Sequence, residues 1–271
     1  MILEMINLRN LENTALFFGF LQIIPLVSCG QQGFWPDGKK AAIVLTYDDG
    51  ITSHLEVAIP QLDRAGYRGT FFIDGVMPEK EILQWREAGR NGHELANHTV
   101  YHPCSKEVLK LHPHYVNENY DRQSIIREIA MMNRMLFAID GKSRRTYAYP
   151  CTDTVVGGED YADTLQATGL VTCARIGGGK RPVTDLKSMD LFRIPSWAPV
   201  DVNEAEVLIE FAKSVLDSGG LGVFQFHGVG GDYLAVSAEA HLGLLEYLET
   251  HPDIWVGTFQ EVMDYISQNR D

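Results

Sequence analysis

Ala41 to Gly50 reads AAIVLTYDDG. Its first part, Ala41 to Thr46, is an apolar run with the look of a buried strand. The run ends in two adjacent carboxylates, Asp48 and Asp49. Such neighbours repel unless a cation or a proton separates their roles. Asp-Gly is also a common turn signal, so the pair alone reads equally well as a cap for the next helix.

Outward from this strand, apolar strands alternate with amphipathic helices. Strands are expected at 69–73, 94–97, 145–149, 170–174, 191–195, 221–226 and 254–257. Helices are expected at 55–65, 79–91, 120–139, 161–168, 204–218, 237–250 and 258–268. The stretches 101–119 and 151–160 read as irregular loops. Strands separated by helices imply parallel pairing with right-handed crossovers. About seven or eight such units over residues 41–271 fit one (β/α) barrel better than two domains. The polar motifs each follow a strand, which in such a barrel brings them to its C-terminal face.

The second polar motif is Asn97-His98-Thr99-Val100-Tyr101-His102-Pro103. Its two histidines are four residues apart, a spacing that metal sites exploit and that also occurs by chance. One Asp and two His form a common ligand set for a zinc-type ion with an open position for water, and a second Asp would be free as a base. The third motif is Tyr147-Ala148-Tyr149-Pro150-Cys151. The fourth, Ser196-Trp197, offers an aromatic wall for a sugar or an acetyl methyl, or simply a core residue. The fifth is Val223-Phe224-Gln225-Phe226-His227-Gly228, an apolar strand ending in His. The glycine-rich loop after it lacks the Lys-Ser/Thr ending of a phosphate cradle.

Together TYDDG and HTVYH resemble the polysaccharide deacetylase family, the carbohydrate esterase group with the nodulation-type deacetylase domain. The resemblance implies a distorted (β/α) barrel of about seven parallel strands forming a single catalytic domain over 41–271. It implies Asp48 as catalytic base, and Asp49, His98 and His102 as metal ligands. Thr99 would orient their loop. Tyr149 and Pro150 would shape the third motif, with the Cys151 N–H as oxyanion donor, and Trp197 would line the substrate site. His227 would be the general acid. Two departures stand out. Ala148 occupies the position of the family's Arg, leaving Arg193 as the expected partner for Asp48. Gly228 replaces the usual Asp, leaving Asp232 to orient His227. The implied activity is metal-dependent removal of N-acetyl or O-acetyl groups from a polysaccharide or oligosaccharide, with zinc the expected ion and cobalt or nickel possible. A carbohydrate-binding lipoprotein with weak catalysis, or a metallo-hydrolase of small amides on the same barrel, are the alternatives.

Cys104 and Cys151 each lie just after an assigned motif, so they are expected to be neighbours, either as a disulfide or as buried free thiols. The formal net charge of −13 and the absence of a Lys/Arg cluster argue against nucleic acid and against an anionic membrane surface. Ala15 to Val27 has the length of a signal-peptide core, and Leu26-Val27-Ser28-Cys29 resembles a bacterial lipoprotein signal. Residues 1–28 are therefore expected to be a leader, Cys29 the lipidated mature N-terminus, and 29–40 a tether. That makes the chain an exported lipoprotein facing the periplasm or cell surface, with the lipid as its membrane contact and an acetylated glycan as its partner.

Overall fold

The computed structural model describes residues 33–107 and 112–270. The expected leader and Cys29 lie outside them. Ten strands run β1 (Ala41–Asp48), β2 (Thr70–Ile73), β3 (Glu94–Asn97), β4 (Tyr147–Ala148), β5 (Val155–Val156), β6 (Glu159–Asp160), β7 (Ala174–Gly177), β8 (Ile194–Ser196), β9 (Leu221–Phe226) and β10 (Ile254–Gly257). Among the described residues seven α-helices run α1 (Ile59–Arg64), α2 (Ile82–Arg90), α3 (Arg122–Asp140), α4 (Ala162–Thr168), α5 (Ala205–Ser218), α6 (Ala238–Glu249) and α7 (Phe259–Asn269).

Eight strands form one all-parallel sheet, and β5–β6 is a separate antiparallel hairpin. Seven of the eight nearly close into a ring in the order β1-β2-β3-β4-β7-β8-β9, with β9 pairing back to β1. The seam between β8 and β9 is one bridge, Trp197 to Phe224, just past the end of β8. There the Trp197 N–H donates to Val223 O at 2.9 Å and the Gln225 N–H to Trp197 O at 2.8 Å. The eighth strand, β10, pairs with Ala41–Val44 on the edge of β1 that β2 takes over from Thr46. This is the expected barrel, distorted at a loosely stitched seam.

Strand periodicity decides what enters the barrel. On β1, Ile43, Leu45 and Tyr47 face the helices and pack with Leu208, Phe211 and Val215 of α5. Ala42 and Val44 face inward, packing with Phe72, Ala96, Ala148, Ile194 and Val223. Asp48 has the inward parity and sits on the last rung. The same two-residue count places Arg175 above Cys173, Ser196 above Ile194, and Gln225 above Val223. The interior is thus apolar below and polar at its C-terminal mouth.

The ladder begins later than the apolar runs suggest: by two residues at Tyr147–Ala148, expected at 145–149, and by more in two further places. The strand expected at 170–174 lies at Ala174–Gly177, and the one expected at 191–195 lies at Ile194–Ser196. Leu170 and Val171 instead join an apolar cluster with Ile125, Ile129 and Leu165 of α3 and α4. The loop expected at 151–160 contains the β5–β6 hairpin. Part of the expected tether is also folded in: Trp35 is buried, its Nε1–H donates to Gly219 O at 2.9 Å, and Phe34 packs edge-on against Tyr265. Apolar burial of these two aromatics outweighs the flexibility suggested by the surrounding Gly, Gln and Pro.

α3 carries the side chains that brace the site, and it starts on a capping box. Asp121 Oδ1 accepts from the Ser124 N–H at 2.6 Å while Ser124 Oγ accepts from the Asp121 N–H at 2.8 Å. Asp121→Ala should lower the midpoint of urea unfolding while leaving the slope unchanged.

Candidate active site

Asp48 leaves the last rung of β1 and is 1% exposed. Arg175, on β7 and equally buried, places Nη2 at 2.5 and 2.6 Å from its two oxygens. Gln225 Nε2, on β9, donates to Asp48 Oδ2 at 2.9 Å. Ser196 Oγ, on β8, accepts from Arg175 Nη1 at 2.9 Å and turns its own proton toward Ile176 O or Gln225 Oε1. The Arg175 guanidinium also lies 5.0 Å over the Phe72 ring. Burial by itself would push the Asp48 carboxyl up, but Arg175, followed by His98 and His227, holds it below the usual carboxylate range.

Asp49 turns out of the strand with φ 77. His98 follows β3, and its Nδ1 lies 2.8 Å from Ala148 O. A carbonyl only accepts, so Nδ1 carries the proton and Nε2 presents its lone pair to the site. His98 Nε2 and His102 Nε2 are 3.1 Å apart, and each is 3.4 Å from Asp49 Oδ1. Ligands about 2.0–2.1 Å from a tetrahedral ion sit roughly 3.3–3.4 Å from one another. The three atoms therefore fit one face of such a tetrahedron. Asp49 Oδ1 is buried and lacks a hydrogen-bond partner, as a carboxylate oxygen reserved for a cation would be. Burial lowers His102 to about 4, which keeps this imidazole neutral, the form a metal ligand requires.

The loop that carries the histidines is held from below. Thr99 Oγ1 accepts from the His102 N–H at 2.9 Å, and Asn97 Oδ1 from the Thr99 N–H at 2.8 Å. Glu128, on α3, accepts from the Val100 and Tyr101 N–H groups at 3.0 and 2.7 Å. His227 follows β9 on the opposite side, with Nε2 3.9 Å from Asp49 Oδ2. His54 Nε2 donates to the His227 carbonyl at 2.8 Å. These groups open on a cavity of about 490 Å³ whose wall includes Cys151, Asp74, Val76, Tyr101, Tyr115 and Tyr233. Tyr233 also donates to Asp49 Oδ2 at 2.8 Å.

Asp48, Asp49, His98, His102, His227 and Cys151 thus converge on one cavity, with Thr99 bracing it. Other expected residues do not reach it. Arg193 lies on the outside, paired with Asp160, Asp163 and Asp190, and the guanidinium on Asp48 belongs to Arg175. Asp232 accepts from the Ser53 N–H at 2.8 Å rather than orienting His227. No side chain fits in place of Gly228, since a Cβ there would lie 2.0 Å from Gly231 O. Trp197 is partly buried and packs against Phe211 and Phe224 at the edge of the core. Tyr149 is buried against Tyr147 and Tyr161, and Pro150 is buried behind Cys151, so neither lines the cavity.

Sequence reasoning missed Arg175, Gln225, Ser196, Tyr233 and Asp74. Arg175 stands just past the expected strand, and Gln225 interrupts an apolar run; both were polar residues on inward strand positions. Asp74 follows β2. Burial, opposed by the Val76 N–H and reinforced by the Asp49 charge, raises it to about 7.

Residues 36–169 match the family model described as polysaccharide deacetylase. A peptidoglycan-N-acetylglucosamine deacetylase of Bacillus cereus is 31% identical over 98 residues, covering 36% of this chain and 33% of that protein. A gellan lyase of a Bacillus species is 27% identical over 116 residues, 43% of this chain and 4% of that protein. The chain thus spans a third or less of these curated relatives. Among solved structures, a Mycobacterium smegmatis protein is 17% identical with a TM-score of 0.64, over 86% of this chain and 92% of that one. The catalytic domain of a peptidoglycan N-acetylglucosamine deacetylase from Eubacterium rectale is 17% identical with a TM-score of 0.54, over 84% and 91%. A carbohydrate esterase family 4 pseudoenzyme from Bacillus anthracis is 16% identical with a TM-score of 0.53, over 83% and 66%. At these identities the structures establish the shared fold.

Removing one partner of a buried ion pair strands the other charge. Arg175→Ala should therefore cost about 3–5 kcal/mol in denaturant unfolding. Arg193→Ala, which loses only solvent-screened pairs, should cost about 1 kcal/mol or less.

Proposed function

Because the chain belongs to the polysaccharide deacetylase family, we propose that it hydrolyses acetyl groups from a polysaccharide or oligosaccharide, using a divalent transition ion held by Asp49, His98 and His102. The observation that carries this reading is the trio of ligand atoms at 3.1–3.4 Å beside a buried, ionised Asp48. Two imidazole nitrogens and one carboxylate oxygen suit zinc, with cobalt or nickel as substitutes, better than calcium or magnesium.

Bound there, the ion would polarise the acetyl carbonyl and lower the pKa of a water. Asp48 is the base that takes the proton of the attacking water. Arg175 and Gln225 hold it ionised and fix its direction, so no reorientation is needed when charge develops. The Cys151 N–H, on the cavity wall, donates to the developing oxyanion. His227, which follows β9 beside the end of β1, protonates the departing amine or alcohol. The cavity suits a sugar unit, with Val76, Tyr101, Tyr115 and Tyr233 providing apolar faces. N-acetyl and O-acetyl glycans both satisfy this chemistry.

Export as a lipoprotein through Cys29 is part of the same proposal. It is supported by the leader-like sequence and by the disulfide between Cys104 and Cys151, a bond suited to an oxidising compartment.

The test is acetate release from a panel of N-acetylated and O-acetylated oligosaccharides by residues 30–271 loaded with zinc or cobalt. Asp48→Asn and His227→Ala should each lower kcat by about 10²–10⁴ without unfolding the chain. Chelation should abolish release, and added zinc should restore it. Release that survives either substitution would refute the assignment, and metal-loaded protein inert on every glycan would favour a carbohydrate-binding role.

A further inference from the structure

The three ligands differ in how their far sides are secured. His98 uses Nδ1 to grip Ala148 O, and Asp49 receives the Tyr233 hydroxyl on Oδ2. Such outer partners normally set the orientation of a ligand. Among the described residues, no carbonyl or carboxylate pairs with Nδ1 of His102. Its Nδ1 faces Cys104 Sγ at 3.5 Å, and that sulfur is bonded to Cys151. His102 is also the more exposed histidine, its side chain 20% accessible against 2% for His98.

The bridge joins two loops whose backbones need restraint. His102 and Thr99 on one side, and Cys151 and Thr152 on the other, all have positive φ, between 49 and 66. These are conformations that side-chain-bearing residues adopt only when their surroundings impose them. Beside the bridge, Cys104 exchanges backbone hydrogen bonds with Tyr115 and Asn117, and Asn117 reaches Asp153 at 3.0 Å. That polar link holds the loops near one another without the sulfurs, so the bridge adds local order.

We infer that the Cys104–Cys151 disulfide is the positioning element of the site: it aims His102 at the ion and the Cys151 N–H at the reacting carbonyl. The inference rests on the reading of Asp49, His98 and His102 as a metal site. Opening the bridge uncouples the two loops and weakens metal binding.

The test measures zinc affinity by competition with a chromophoric chelator. It compares the oxidised chain, Cys104→Ser/Cys151→Ser, and Cys173→Ser as a control for the buried free thiol away from the site. The double variant should bind zinc about 10–100-fold more weakly, at a temperature where circular dichroism shows it folded. Its cobalt form should lose the intense visible bands of tetrahedral coordination. Its kcat should fall more than its KM changes, a split that loss of a merely structural staple would not produce. Cys173→Ser should match the parent.

A second measurement avoids refolding. A phosphine reductant is added to the folded, zinc-loaded parent. The phosphine takes up a water oxygen to become its oxide, and the disulfide gains two electrons and two protons to become two thiols. Zinc should pass to the chelator as the bridge opens. Zinc held as tightly after opening, by the original ligands or by the freed thiolates, overturns the inference. An oxidised parent that binds no zinc overturns the metal reading and this inference with it.

Discussion

The structure depends on a negative charge buried at the mouth of a barrel. Asp48 sits where the apolar interior ends, and a carboxylate there costs several kcal/mol unless it is neutralised and hydrogen-bonded. Arg175 neutralises it, Gln225 and Ser196 complete the network, and Phe72 covers the guanidinium. These polar groups come from β1, β7, β8 and β9. The same four strands span the loosely stitched part of the ring, where β8 meets β9 through one bridge. The charge pair therefore braces the seam and holds Asp48 ionised, linking fold and chemistry through one interaction.

The loops above this layer have unusual backbones for their residues. Asp49, Thr99, His102 and Cys151 all have positive φ, at a typical cost of about 1–3 kcal/mol each. Asp tolerates such a conformation better than Thr, His or Cys. The offset comes from specific bonds: Asn97 to Thr99, Thr99 to His102, Glu128 to Val100 and Tyr101, and the disulfide. Close approach helps too. Gly75 donates its N–H to Val100 O at 3.0 Å, and a Cβ at Gly75 would lie 2.9 Å from the Val100 Cα. The site is thus a set of strained turns stacked on a rigid rung.

Legibility varied with how local each signal was. The barrel followed from alternating apolar strands and amphipathic helices, and Asp48, Asp49, His98 and His102 were readable because each pair lies within five residues of chain. Cys104 and Cys151 were expected to meet, and they do. Arg193, inside the strand expected at 191–195, was the expected partner of Asp48, but the ladder there starts three residues later and Arg193 turns outward to Asp160, Asp163 and Asp190. Arg175 was passed over for the mirror-image reason: the apolar run at 170–174 ends at Ala174, the first residue of the strand, and leaves Arg175 outside the run. Asp232 looked available in its loop, yet the nearby Ser53 amide claims it. Trp197 and Tyr149 carry the right surface for sugar binding but lie behind the cavity.

By itself the chain's sequence determined the fold class, the order of its units and the residue types at each strand end, because side-chain alternation and turn chemistry act over a few neighbours. Only the tertiary structure decided which guanidinium meets Asp48, which aromatics face the cavity and which hydrogen bonds hold the His98–His102 loop. Those choices depend on strand register and on the stagger between strands far apart in the chain. A shift of one residue exchanges the inside of the barrel for the outside, and no local pattern fixes it.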